Sequence, residues 1–357
     1  MHRFAFVIHP IDVKRDAARK YPIARYLPER WVESLLKRKE PMVISRITGV
    51  RSLTGAETEG WFIGCPLSPR MMLSLPLDFV YRKIIRCGQI AQELGAEIIG
   101  LGAFTSVVGD GGITIARNLE IAVTTGNSYT VATAIEGAIR GAELMGIPID
   151  EATVAVVGAT GSIGRTCAEA LAPLAARMLL LGRDASRLEP IAHALHERAR
   201  GEVQVSTELA RDLPHADVVI TVTSAVDAVI YPQHLKPGAV VCDVARPRDV
   251  SVRVARERDD VLVIEGGVVA VPGEVDFGFD FGFPPRTAYA CMSETMMLAL
   301  EGRIENFTLG KEVSLQQVET TQQLARKHGF QLAGFRSFER ALTDEEIARI
   351  RKNAARK

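Results

Sequence analysis

The run Gly158-Ala159-Thr160-Gly161-Ser162-Ile163-Gly164 follows an apolar stretch, Val154–Val157, and leads into a helical pattern. Its GxxGxxG spacing is a relative of the dinucleotide fingerprint GxGxxG. Glycines there permit a tight turn, close approach of backbone to pyrophosphate, and close helix–strand packing. N–H groups at the helix start then hold the phosphates, helped by the helix dipole. The next apolar run ends LLLGRDASR, which puts Arg183 and Arg187 near the place where an NAD site usually carries an acid for the ribose 2′-hydroxyl. A guanidinium suits a 2′-phosphate, so the sequence predicts NADPH. Asp184 comes late for the ribose and is also placed to cap the next helix; both arginines also fit as solvated helix-start charges. Thr223, after ADVVITV, and Gly266-Gly267, after VLVIE, complete the candidate cofactor set.

Cys291 is the second candidate. Pro284-Pro285-Arg286 precedes it, and proline is tolerated at a helix start, so the spacing predicts a helix with Cys291 in its first or second turn. A thiolate there, with an arginine close by, has a lowered pKa and is prepared for acyl transfer. Free cysteine is equally at home as a small buried hydrophobe, and the local sequence leaves both readings open. Cys65, Cys87, Cys167 and Cys242 read as packing residues. None of the six tyrosines has lysine four residues on, so the Tyr-x-x-x-Lys pair of short-chain dehydrogenases is absent.

Strand–helix alternation positions these residues. TVAVVG, RMLLLG, EVQV, ADVVITVTS, GAVVCDV and VLVIEGG read as strands separated by helical stretches, a pattern that builds a parallel sheet with helices on both faces. Before it come a strand-like run, Phe4–Ile8, short β runs over 41–75, helical spacing from Leu77 to Leu94, a buried strand in EIIGLGAF, and a helix over 128–145. The expected architecture is α/β: a Rossmann-type, doubly wound parallel-sheet domain over 151–283, inserted between 1–150 and a helical 284–357 segment that together form an α/β substrate domain.

The chain has 357 residues, 43 basic and 43 acidic, and a 47% hydrophobic composition. That describes a folded protein of two domains, and zero net charge argues against a nucleic-acid binder. No apolar run approaches a transmembrane helix, and the N-terminus has too short an apolar stretch for a secretory signal. Five cysteines without CxxC, and histidines without HExxH, suggest neither disulfides nor a metal, and point to a reducing cytoplasm.

The ordered motifs LGAFTS (Leu101 to Ser106), TTGN (Thr124 to Asn127), VAVVGATGSIG, GGVV (Gly266 to Val269), PPRTAYAC with SETMMLALEG, NF at Asn306–Phe307 and KHGF at Lys327 to Phe330 are collinear with a known family. From about Arg82 to Phe330 the chain resembles the long-chain acyl-(acyl-carrier-protein) reductases of cyanobacterial type, which make fatty aldehydes with NADPH. The resemblance implies an acyl carrier protein or coenzyme A thioester as substrate and Cys291 as nucleophile. It also implies that Lys83, Thr105 and Ser106 lie near the cleft as oxyanion donors, although Lys83 fits equally as a surface charge and Ser106 as a turn residue. Tyr129 stands where the family tends to have histidine and would donate a proton as a phenol. Val244-Ala245-Arg246-Pro247 replaces a Gly-Gly-Tyr-Pro run, and the short stretch VPGEVDFGFDFGF would border the acyl pocket. Two other classes stay open: an alcohol oxidoreductase like shikimate dehydrogenase, using Lys83 with a nearby acid, and a non-catalytic NADP-binding protein. Residues 14–40 carry nine basic and four acidic side chains, a candidate dock for an acidic carrier.

Overall fold

The computed structural model describes residues 1–356. Along the chain run β1 (Arg3–Ile8), α1 (Val13–Lys20), α2 (Glu29–Arg38), β2 (Met42–Arg51), β3 (Glu57–Gly64), α3 (Pro69–Ser74), α4 (Leu77–Glu93), β4 (Ile98–Leu101), α5 (Ile113–Arg117), β5 (Ala122–Thr124) and α6 (Asn127–Met145). Then come β6 (Thr153–Val157), α7 (Ser162–Leu171), β7 (Arg177–Leu181), α8 (Ala185–His196), β8 (Glu202–Ser206), α9 (Leu209–Asp212), β9 (Val218–Thr221), β10 (Val240–Asp243), α10 (Val252–Glu257) and β11 (Leu262–Glu265). After them follow β12 (Val268–Ala270), β13 (Gly273–Asp276), β14 (Thr287–Tyr289), α11 (Ala290–Glu301) and further helices.

Two compact units result. The first comprises Met1–Gly126, Val269–Glu312 and Thr320–Gln331. Its sheet has the order β13–β2–β3–β1–β4–β5. Strands β3, β1, β4 and β5 are mutually parallel, whereas β2 and β13 add on antiparallel. Helices α4 and α11 pack on β1. Sheets covered on both faces read as continuous apolar runs, and β4 is buried at every residue.

The second unit holds Asn127–Val268, Val313–Glu319 and the chain from Leu332 onward. Its sheet is parallel throughout, in the order β11–β10–β9–β6–β7–β8. The chain leaves β6 to one side through β7 and β8, then returns to β9 on the other. Open sheets of this winding bind ligands outside the carboxyl ends of the strands at that reversal. The expected Rossmann-type sheet is therefore present. By compactness the chain changes unit after Gly126 and after Val268, where cuts near 150 and 283 were expected. The cause is α6, which packs on α7 and β10, and the C-terminal segment follows it. No helix among the described residues is long and apolar enough to cross a membrane.

Candidate active site

In the first unit Cys291 is the second residue of α11. The double proline does not start this helix, because Thr287–Tyr289 run extended before it. Arg286 reaches Glu274 at 3.0 Å and is exposed. Tyr289 gives α11 no side-chain cap. The backbone amides of Met292, Cys291 itself and Ala103 instead favour the thiolate. Burial outweighs these donors, the Glu294 carboxylate opposes a second negative charge, and the thiol is pushed up to about 12. The expected lowering of this pKa is overturned: the helix start supplies partial charge, but loss of water costs the thiolate more.

Ala103 lies just beyond β4, in the left-handed region at φ 47°, and opens the 3-10 turn Ala103–Ser106. Ser106 Oγ donates to Ala103 O at 2.7 Å, and Thr105 Oγ1 donates to Gly102 O at 2.8 Å. Ser106 thus holds the turn that faces the sulfur. The Phe104 N–H donates to His9 Nε2 at 3.2 Å. His9 follows β1, is half-buried, and desolvation holds its imidazole down at about 4. Beyond β5, Gly126 (φ 73°) approaches so closely that a Cβ there would lie 2.3 Å from Cys291 Cα. The cysteine therefore sits at the carboxyl ends of β1, β4 and β5, where parallel sheets place their ligands.

Glu294, one turn along α11, is fully buried. Its Oε1 accepts from Thr124 Oγ1 at 2.6 Å and Thr308 Oγ1 at 3.0 Å. Thr125 Oγ1 donates to Thr308 O at 2.6 Å. Lys83 is engaged differently: 7% exposed, it donates to Lys39 O at 2.8 Å and Glu40 Oε1 at 2.7 Å. His9 and Glu294 were not singled out from sequence. For His9 the available signal was its place at the carboxyl end of a strand.

In the second unit Gly158 (φ 86°) turns the chain out of β6, and a Cβ there would meet Val222 O at 2.6 Å. At Gly164 a Cβ would meet Gly158 O at 2.4 Å. Both positions admit only glycine, and together they bring α7 against the turn. Ala159 is buried, while Thr160, Gly161, Ser162 and Ile163 reach the surface. Gly161 precedes α7 without a side-chain cap, so backbone donors remain for phosphates. This cradle fits a dinucleotide.

Thr223, beyond β9, donates through Oγ1 to Asp249 Oδ1 at 2.5 Å and through its N–H to Oδ2 at 2.8 Å. Gly266 and Gly267 are buried beyond β11. Arg183, just beyond β7, and Arg187, in the first turn of α8, are exposed. Asp184 caps α8, accepting from the Ser186 N–H at 3.0 Å. Tyr129, in the first turn of α6, is 4% exposed, and burial with the Glu136 carboxylate raises its phenol well above the ordinary value.

The sequence profile of the shikimate / quinate 5-dehydrogenase family matches residues 142–265. The chain is 30% identical over 359 residues to the aminotransferase PigE of Serratia sp. (strain ATCC 39006), covering 98% of this chain and 42% of PigE. It is 30% identical over 346 residues to the long-chain acyl-[acyl-carrier-protein] reductase of Synechococcus elongatus, covering 90% of this chain and 95% of the reductase. Among solved structures, L-tryptophan dehydrogenase from Nostoc punctiforme aligns at TM-score 0.42 and 13% identity, over 99% of this chain and 88% of that one. The cofactor of such a chain is a nicotinamide dinucleotide. Over nearly the whole length of both proteins the similarity is to one reductase, and the chain belongs to the family of the long-chain acyl-[acyl-carrier-protein] reductase.

Proposed function

We propose that this protein reduces a long-chain acyl thioester, carried by acyl carrier protein or coenzyme A, to the fatty aldehyde with NADPH. One observation carries the reading. Cys291 opens α11 at the carboxyl ends of parallel strands, with Gly126 beyond β5 packed on its Cα and the Ala103 turn beyond β4 acting on its sulfur.

Cys291 attacks the thioester carbonyl, a new S–C bond forms, the carrier S–C bond breaks, and the cysteine proton leaves on the carrier thiol. The Ala103 and Met292 N–H groups hold the oxyanion as it develops. NADPH, once bound, would supply hydride to the acyl-cysteine carbon, and one proton taken up by the carbonyl oxygen completes the hemithioacetal. Cleavage of its C–S bond frees the aldehyde and returns the sulfur. Gly158, Gly161 and Gly164 would hold the pyrophosphate through backbone groups, and Arg183 and Arg187 would read the 2′-phosphate. Lys83 is unsuited to the alcohol-oxidoreductase alternative, because Glu40 and Lys39 already hold it. Tyr129, whose phenol is raised by burial and by the Glu136 carboxylate, keeps its proton at physiological pH.

Intact-mass measurement after incubation with a long-chain acyl thioester, without NADPH, tests the reading. One acyl group should appear on Cys291 and vanish when NADPH is added. Cys291→Ala should lose both adduct and turnover yet still bind NADPH. Full turnover by Cys291→Ala, or an adduct on another cysteine, overturns the mechanism.

A further inference from the structure

Helices α1 and α2, joined by a 3-10 turn over Pro22–Tyr26, close on a small core of their own: Val13, Ala17, Ala24, Val32 and Leu36. On α2 the inward pair Val32 and Leu36 is shadowed, one residue earlier, by Trp31 and Leu35. These point outward at 57% and 54% exposure, and Ile23 and Tyr26 on the 3-10 turn reach 68% and 78%. Four large apolar side chains therefore stand in water although the hairpin already has a core.

Around them basic side chains outnumber acidic ones, Glu29 and Glu33 being the acids of α2. Arg30, Lys37 and Arg38 are exposed on α2. On α1 an open recess of ≈ 480 Å³ is lined by Lys14, Arg15, Arg19 and Arg25. Asp12 accepts the Arg15 N–H at 2.9 Å as the helix cap, and Asp16 pairs with Arg15 at 3.4 Å and Arg19 at 3.6 Å, so the cations left over in the recess are Lys14 and Arg25. Lys14 has no ion-pair partner among the described residues. Arg25 belongs both to this recess and to the turn bearing Ile23 and Tyr26, so the cationic recess and the apolar side chains adjoin.

We propose that the hairpin Val13–Arg38 is a membrane-surface element, with Trp31, Leu35, Tyr26 and Ile23 entering the acyl boundary of an anionic bilayer and the Lys14–Arg25 recess taking a lipid phosphate. An apolar stripe with tryptophan and tyrosine, bordered by lysine and arginine, is the pattern that lies in a lipid interface. Charge alone would equally serve an acidic carrier protein. Four apolar groups held outward favour a partner whose anionic surface covers a hydrocarbon layer.

Full-length protein sedimented with phosphatidylglycerol/phosphatidylcholine vesicles tests this without any turnover, so its outcome is separate from that of the thioester reading. Wild type should bind these vesicles at least tenfold more tightly than pure phosphatidylcholine, with a blue shift of tryptophan emission. Trp31→Ser with Leu35→Ser, and separately Lys14→Glu with Arg25→Glu, should each weaken binding at least tenfold. These side chains lie outside the hairpin core, so unchanged thermal midpoints will confirm that the variants fold. Absence of binding by wild type, or binding indifferent to both variant pairs, overturns the proposal. So does loss of acyl carrier protein binding in the same variants when wild type ignores vesicles, which would make the hairpin a carrier dock.

Discussion

The Thr124 hydroxyl donates to Glu294 Oε1 across 2.6 Å, which ties the end of β5 to the helix that carries Cys291. Gly126, two residues beyond Thr124, is the residue packed on Cys291 Cα. The buried carboxylate thus sets the distance between the sulfur and one wall of its site, and at the same time makes the thiolate harder to form.

Removing that carboxylate separates its two effects. Glu294→Ala leaves the Thr124 and Thr308 hydroxyls without their acceptor and opens a cavity, so urea denaturation should show a loss of about 2–4 kcal/mol. Glu294→Gln keeps an acceptor oxygen and should lose less. It should also alkylate faster at Cys291 at fixed pH, because a neutral amide no longer opposes the thiolate. Equal or slower alkylation would show that the charge is not felt at the sulfur.

A thiol at about 12 is mostly protonated throughout the physiological range. Below its pKa the thiolate fraction grows about tenfold per pH unit. Iodoacetamide labelling of Cys291, read by peptide mass, should therefore rise roughly tenfold from pH 7 to 8 and again from 8 to 9. A plateau below pH 9 would mean an activated thiolate.

His9 gives the fold a pH dependence of definite sign. Its imidazole drops from 6.5 to about 4 on folding, so between those values the unfolded chain binds a proton that the folded chain refuses. Stability is complete above 6.5 and declines as pH falls towards 4, by at most about 3 kcal/mol. Asp16 opposes this shift, and Pro10 O accepts from the ring at 3.3 Å. His9→Gln, which keeps an acceptor for the Phe104 N–H, should flatten the difference in urea midpoint between pH 7 and 4.5. Parallel curves for both proteins would remove His9 as its source.

For the cofactor, Arg183→Asp should weaken NADPH binding at least tenfold and change NADH binding little, by fluorescence titration. The exposed guanidinium can meet a 2′-phosphate but has nothing specific to offer a ribose hydroxyl. Equal losses would assign the reading of the ribose to another residue.

How much of this was legible depends on the range of the interaction. The second sheet was readable because all its strands but β8, EVQVS, are apolar runs bounded by turns, and the glycine turn because Gly158 and Gly164 stand at fixed spacing between a strand and a helix, with Gly164 packed on Gly158 itself. The alternative for Asp184, a helix cap, was visible in its place before Ala185 and is what the structure holds. The cysteine site was legible only as a residue. Ala103 and Gly126 reach it from two strand ends, His9 steadies the Ala103 turn through the Phe104 N–H, and none carries a spacing signal that joins it to position 291. The pKa was misjudged for the same reason, since a helix start can be read locally whereas burial depends on every element packed above it. Lys83 likewise finds its partners, Lys39 and Glu40, more than forty residues away.

The protonated state of Cys291 has a consequence for a cell under oxidative stress. Peroxide reacts with thiolates and climbs from sulfenic to sulfinic acid on sulfurs that are already ionised. A sulfur that keeps its proton at neutral pH offers peroxide little to attack, so Cys291, the nucleophile proposed above, should resist irreversible oxidation between turnovers.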